Sequence, residues 1–209
     1  MPRLRGYSHA AAFPIVLAAG VVLIVLARSA AARVGASIYM ATSAMLFGIS
    51  ALYHRGNWGE ETRSILKRLD HANIYLIIAG TYTPFAILSL TGAAQLAVLT
   101  VVWTGALAGV VFRFGWITAP RWLYTSLYVL LGWIAVFVIP QLLHGAGAAA
   151  FTLIVIGGAL YTAGGIVYAL RKPDPFPRSF GFHEVFHALT IAAYTSQYIA
   201  VSLVTYRLA

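Results

Sequence analysis

His183-Glu184-Val185-Phe186-His187 opens the last long apolar run of this 209-residue chain, and its placement there decides the fold. Histidines four apart share one helix face and can reach a single metal ion, with zinc the best match to two imidazoles. In a soluble helix the pattern would suggest an ordinary metalloenzyme. Here it heads a segment of about 23 residues, roughly 183–205, long enough to cross a bilayer. Ligand-capable side chains are costly inside a membrane and mark function there by default.

The rest of the chain has the same character. It is 61% hydrophobic and 9% charged, with a mean hydropathy of +0.84, against roughly a quarter charged residues in a soluble domain. Apolar runs near 10–27, 34–53, 71–90, 94–112, 121–139, 149–170 and 183–205 predict an all-α integral membrane bundle of seven transmembrane helices. It occupies residues 1–209 as one domain, with loops too short for a soluble module. Between the second and third runs, Glu60 to Leu69 is charged, with Ile65, Leu66 and Leu69 on one side. It is expected to form a short helix on the membrane surface. No cleavable signal peptide is expected, because the first run is nearly long enough to span and Arg28 and Arg33 interrupt the small residues after it.

Charge sets the expected orientation. Eleven of the fourteen Lys and Arg residues fall on one side, in the segments around Arg3–Arg5, Arg55–Arg68, Arg113–Arg121 and Arg171–Arg178. Only Arg28, Arg33 and Arg207 fall on the other. The basic side is expected to be cytoplasmic, which puts the N-terminus inside and the C-terminus outside, in the cell inner (plasma) membrane. The net charge of +9 is scattered over short loops, so no nucleic-acid partner is expected and membrane lipids are. With no cysteine, disulfides and thiolate metal sites are excluded.

This topology collects polar residues at one depth. Ser50 and His54 end the second span, Asp70 begins the third, and His183 and His187 begin the seventh, all toward the basic side. His54, His183 and His187 are the candidate zinc ligands. Three histidines leave a fourth position for water, the open arrangement of a catalytic zinc. Asp70 and Ser50 are the candidate catalytic residues. Asp70 would act as general base or orient a histidine, and Ser50 would donate to the water or to a substrate oxygen. Each also has a plainer explanation, Ser50 in a bond to a carbonyl one turn back and Asp70 in a helix cap.

His71, adjacent to Asp70, points about 100° away on a helix and competes as a ligand. Glu184 is expected to face headgroups or a loop cation such as Arg178 instead of acting as base. His9 and His144 are expected to be interfacial, with His144 on the opposite face. Gly105 with Gly109, Gly157-Gly158 and Gly164-Gly165 predict close helix packing, and Pro84 predicts a kink in the third span. Trp58, Trp116 and Trp122 suit interface anchors.

Ser50-Ala51-Leu52-Tyr53-His54, Leu69-Asp70, Thr83-Pro84-Phe85 and His183-Glu184-Val185-Phe186-His187 together resemble the haemolysin III proteins of bacteria. These are grouped with the progestin and adiponectin Q receptors and, more distantly, the alkaline ceramidases. The resemblance implies a seven-helix bundle, a cytoplasmic N-terminus and a zinc held by His54, His183 and His187, with Ser50 and Asp70 as the matching serine and aspartate. Four functions follow as expectations. The first is a zinc-dependent hydrolase of a lipid amide or ester. The second is a receptor-like or membrane-homeostasis regulator with structural zinc. The third is a cytolytic pore, for which spans four to six supply little polar lining. The fourth is an intramembrane protease, which would pair two histidines with one carboxylate.

Overall fold

The computed structural model describes residues 3–207. Its helices are α1 (Tyr7–Val25), α2 (Ala30–Arg55), α3 (Glu60–Ser89), α4 (Gly92–Gly115), α5 (Arg121–Gly132), α6 (Ile139–Ala146), α7 (Ala148–Leu170) and α8 (Phe182–Thr205). α5 passes through a 3-10 stretch, Ile134–Val138, into α6, so these two make one span. Among the described residues there are thus seven helical spans long and apolar enough to cross a membrane.

The boundaries follow from local chemistry. Ser29 caps α2 by accepting from Ala32 N, which starts the helix four residues before the apolar run. α3 departs most from expectation. The charged stretch from Glu60 to Leu69 is no separate surface helix but the first third of a 30-residue helix. Hydropathy changes near Asp70, but no glycine or proline lies between Glu60 and Gly80 to end the helix. Pro84 lies inside α3, its ring packed against Gly35 of α2.

The fifth span continues beyond 139 to Ala146. Pro140 cannot supply an N–H to the preceding turn, so regular α-helix stops before it and resumes with the proline in the first turn of α6. Tyr82 of α3 fills the break. Its hydroxyl donates to Gly132 O at 2.7 Å and accepts from Ala135 N at 2.8 Å, satisfying backbone groups that lipid could not.

α8 lies against α1, α2, α3 and α7, and α3 against α2 and α4. The most buried spans are those of α3, α8 and α2, the same three that carry the candidate site. Tyr39 and Phe47 of α2 are buried against Tyr194 of α8, and Tyr75 of α3 is buried on the other side against Gly109 of α4 and Tyr128 of α5. The chain before α1 is tied to the α7–α8 loop, with Arg3 N donating to Arg178 O and Leu4 N to Ser179 O.

Candidate metal centre

α2 ends with its last turn against the first turns of α8, and this places His54 beside His183 and His187. One ring nitrogen from each of the three lies within 4.8 Å of the others, a group that could hold a metal ion. His54 Nε2 and His183 Nε2 are 3.2 Å apart. Two zinc–nitrogen bonds of the usual length, opened to a tetrahedral angle, would separate the nitrogens by about 3.3 Å, so the spacing fits. The donor set fits as well: three imidazoles, all largely buried, with the carboxylate of Asp70 close by. Asp70 Oδ2 is 3.8 Å from His54 Nε2. Asp70 is also the one carboxylate lining the adjoining cavity.

Other sequence candidates fall elsewhere. His71 is not part of the cluster. Its Nδ1 donates to Lys67 O at 2.7 Å, and its Nε2 therefore accepts from Tyr168 Oη at 3.2 Å, which commits both nitrogens. Glu184 does meet a cation, but Arg5 instead of Arg178. Arg5 Nε donates to Glu184 Oε1 at 2.6 Å, and the other carboxylate oxygen accepts from Gly181 N at 2.9 Å. The second bond closes the N-terminus of α8 three residues back. Both oxygens of Glu184 are thus engaged, and the residue does not line the cavity that His183 and His187 reach. His144 is exposed in α6, at the far end of the bundle.

His9 is the correction that changes the site. Expected at the interface, it is 2% exposed, because α1 begins at Tyr7 and carries it inside. Its Nδ1 is 2.9 Å from Ser50 Oγ, so the side chain of Ser50 engages a histidine, not a carbonyl one turn back. The imidazole stacks on His187 with centroids 3.8 Å apart and edges onto Phe47. His9 thus belongs with the cluster through contacts 41 and 178 residues away in sequence, distances over which no local pattern operates.

A cavity of about 130 Å³ adjoins the cluster, reached by His9, Ser50, Asp70, His183 and His187 and walled beyond them by α3, α5, α7 and α8. From Asp70 to Tyr82 on its α3 wall is about 18 Å of helix, more than half the thickness of a hydrocarbon layer. Gly158, expected to pack closely, faces open space instead. In contrast, a Cβ on Gly109 would strike the Tyr75 ring, on Gly105 Leu131, and on Gly157 Gln197.

The chain matches, over residues 1–198, the family model described as Haemolysin-III related. It is 32% identical over 165 residues to a protein of Bacillus subtilis (strain 168) named Hemolysin-3 homolog, covering 79% of this chain and 74% of that one. It is 29% identical over 173 residues to Hemolysin-3 of Bacillus cereus, covering 83% and 76% respectively.

Proposed function

This chain belongs to the haemolysin-III related family, and we propose that it is a zinc-dependent hydrolase of a lipid amide or ester. One observation carries this reading. Three imidazoles lie within ligand distance of one another, and two of them, His183 and His187, line with the Asp70 carboxylate a cavity the length of a lipid chain segment. The many cations at this end of the bundle support a site at the cytoplasmic leaflet of the plasma membrane.

Bound zinc would polarise the carbonyl and make water a better nucleophile. The protein's own residues do the rest. His54, His183 and His187 would hold the metal through neutral nitrogens. Asp70 takes a proton from the attacking water and returns it to the leaving amine or alcohol as the carbonyl–nitrogen or carbonyl–oxygen bond breaks. With the His9 proton on Nδ1, His9 donates to Ser50 Oγ, and the serine hydroxyl donates to Asp70 or, with a lipid bound, to a substrate oxygen. The long α3 and α8 walls exclude water from the chain of the lipid, which enters sideways between helices.

Elemental analysis of detergent-purified protein tests the first half. One zinc per chain is expected in the wild type and its loss in His54→Ala, His183→Ala and His187→Ala. The second half is tested with Asp70→Asn, expected to keep its zinc and lose turnover of a lipid amide and ester panel. Zinc-loaded wild type that turns over nothing in that panel would leave a regulator with structural zinc as the better account. A chain that keeps zinc without His54 and loses it without Asp70 would point to the protease arrangement.

A further inference from the structure

The cavity wall is apolar for most of its length, with Ile74, Ile77, Ile78 and Val129 among its residues. The polar groups along it divide into two kinds. Thr81, Thr162 and Thr190 each donate to a carbonyl one turn back, and Tyr82 is engaged with the α5–α6 break. Thr125 Oγ1, Tyr161 Oη and Gln197 Oε1 are buried in the same cavity wall with no partner. Thr125 and Gln197 are 6% and 5% exposed. Buried polar atoms without partners are rare and costly; His9 Nε2 and His187 Nδ1 are unpaired at the cluster itself, and these three more, beyond the cluster, call for an occupant.

The three form a ladder along α7. A Cβ on Gly165 would touch the Thr125 methyl, and one on Gly157 would meet the Gln197 amide. Tyr161 lies between, one turn from each glycine. The ladder therefore covers about 12 Å along the cavity, beginning beyond the histidine cluster. Its chemistry is defined at the far end: Gln197 Nε2 donates to Ile154 O at 3.1 Å, so the oxygen is the free amide atom and accepts only. Tyr161 and Thr125 each offer an O–H and an oxygen lone pair.

The space does not end at Gln197. A second cavity of about 50 Å³ shares Thr81, Tyr82, Gly132, Gly158 and Gln197 with the first and continues toward Leu90 and Leu142. A Cβ at Gly132 or Gly158 would meet nothing within 4 Å, so the two glycines leave the junction open.

We infer that the juxtaposition of Thr125, Tyr161 and Gln197 along this passage is a mid-membrane subsite for a hydroxyl carried part-way along a long apolar chain. A plain hydrocarbon chain would leave all three groups unpaired. A hydroxyl gives its proton to Gln197 Oε1 or pairs with either phenol or threonine hydroxyl, while the apolar remainder passes Gly132 and Gly158 into the second cavity. The inference deepens the hydrolase reading by naming its lipid as chain-hydroxylated.

The test measures binding, so that it stands apart from turnover. Octadecanoic acid and its 10-hydroxy and 12-hydroxy forms compete with a fluorescent fatty acid for the purified, zinc-loaded protein. At least one hydroxy acid is expected to bind about three- to tenfold more tightly than the plain acid, the range of one net hydrogen bond. Tyr161→Phe and Thr125→Val, which remove one oxygen with little change of shape, and Gln197→Met, which also gives up the Nε2 bond to Ile154 O, should reduce that preference toward parity and leave the plain acid's affinity as it was. Ligand-free thermal stability of Tyr161→Phe and Thr125→Val should be unchanged or higher, since each deletes an unpaired atom. Gly158→Leu, filling the junction, should weaken all three acids. Equal binding of the three acids by the wild type, no binding of any, or a preference that survives all three oxygen deletions would overturn the subsite and assign these atoms to water. A preference without any lipid turnover would sink the hydrolase alone.

Discussion

The imidazole of His9 lies flat on that of His187, centroids 3.8 Å apart and planes 6° from parallel, while its Nδ1 reaches Ser50 Oγ at 2.9 Å. One residue of α1 therefore restrains a candidate ligand on α8 and a candidate catalytic serine on α2. Residues that hold metal ligands in place are typically worth 10- to 100-fold in metal affinity. His9→Ala should lose zinc to a competing chelator about tenfold more readily than wild type, with the three ligand histidines intact. His9→Phe, which keeps a flat ring but no Nδ1, should recover part of the retention and none of the Ser50 contact. Equal zinc retention in all three proteins would show that the stack has no hold on the site.

Gly6 fixes the same corner from the backbone. Its φ is +79°, and a Cβ there would come within 2.5 Å of His54 Cβ. A side chain is disfavoured twice over, by left-handed backbone at about 1–2 kcal/mol and by collision with His54, a candidate ligand. Gly6→Ala is expected to lower both thermal stability and zinc occupancy. Gly59→Ala is the control, at a position with φ −61° and open space around it, and should leave zinc unchanged. Matching behaviour of the two variants would remove Gly6 from the site.

Much of this was legible in the chain. Hydropathy is a local property, and so is the i, i+4 spacing of His183 and His187. The seven spans and the convergence of His54 with the pair followed from these and from the charge asymmetry. What escaped were relations between distant residues or between a helix and its surroundings. His9 sits at the edge of its apolar run with no motif around it, and its partners Ser50 and His187 belong to other helices. The drop in hydropathy before Asp70 suggests a helix end, but no glycine or proline there terminates α3. Glu184 also caps α8 by accepting from Gly181 N, a role not expected of it. That its cation is Arg5, not Arg178, depends on the docking of the N-terminal segment against the α7–α8 loop.

That docking has an energetic signature. Glu184 is 3% exposed and Arg5 17%, and removing one member of a buried pair strands the other at a cost of roughly 3–5 kcal/mol; the partial exposure of Arg5 puts the expectation at the lower end. Arg5→Met should therefore unfold at a clearly lower temperature in detergent. Arg5→Met with Glu184→Gln should regain most of the loss, because no buried charge is left alone. Glu184→Gln by itself should keep its zinc and any lipid turnover, since both carboxylate oxygens serve Arg5 and Gly181. Loss of turnover in a stable, zinc-loaded Glu184→Gln protein would restore the base role this glutamate has in soluble metalloproteases.

The hydroxyl of Tyr82 joins α3 to the break between α5 and α6, where it serves Gly132 O and Ala135 N together. In water such backbone groups would find another partner, whereas within a bilayer they would not. Tyr82→Phe keeps the ring and deletes only the oxygen, so its effect isolates these two bonds. A loss of about 1–3 kcal/mol is expected from leaving buried backbone groups unpaired, read as a lower unfolding temperature. Because the break is then unsupported, hydrogen exchange at the amides of 133–138 should also quicken, while the amides of α8 near His187 stay protected. Unchanged exchange in 133–138 would mean that Pro140 and Trp133, whose indole donates to Thr162, hold the break without Tyr82.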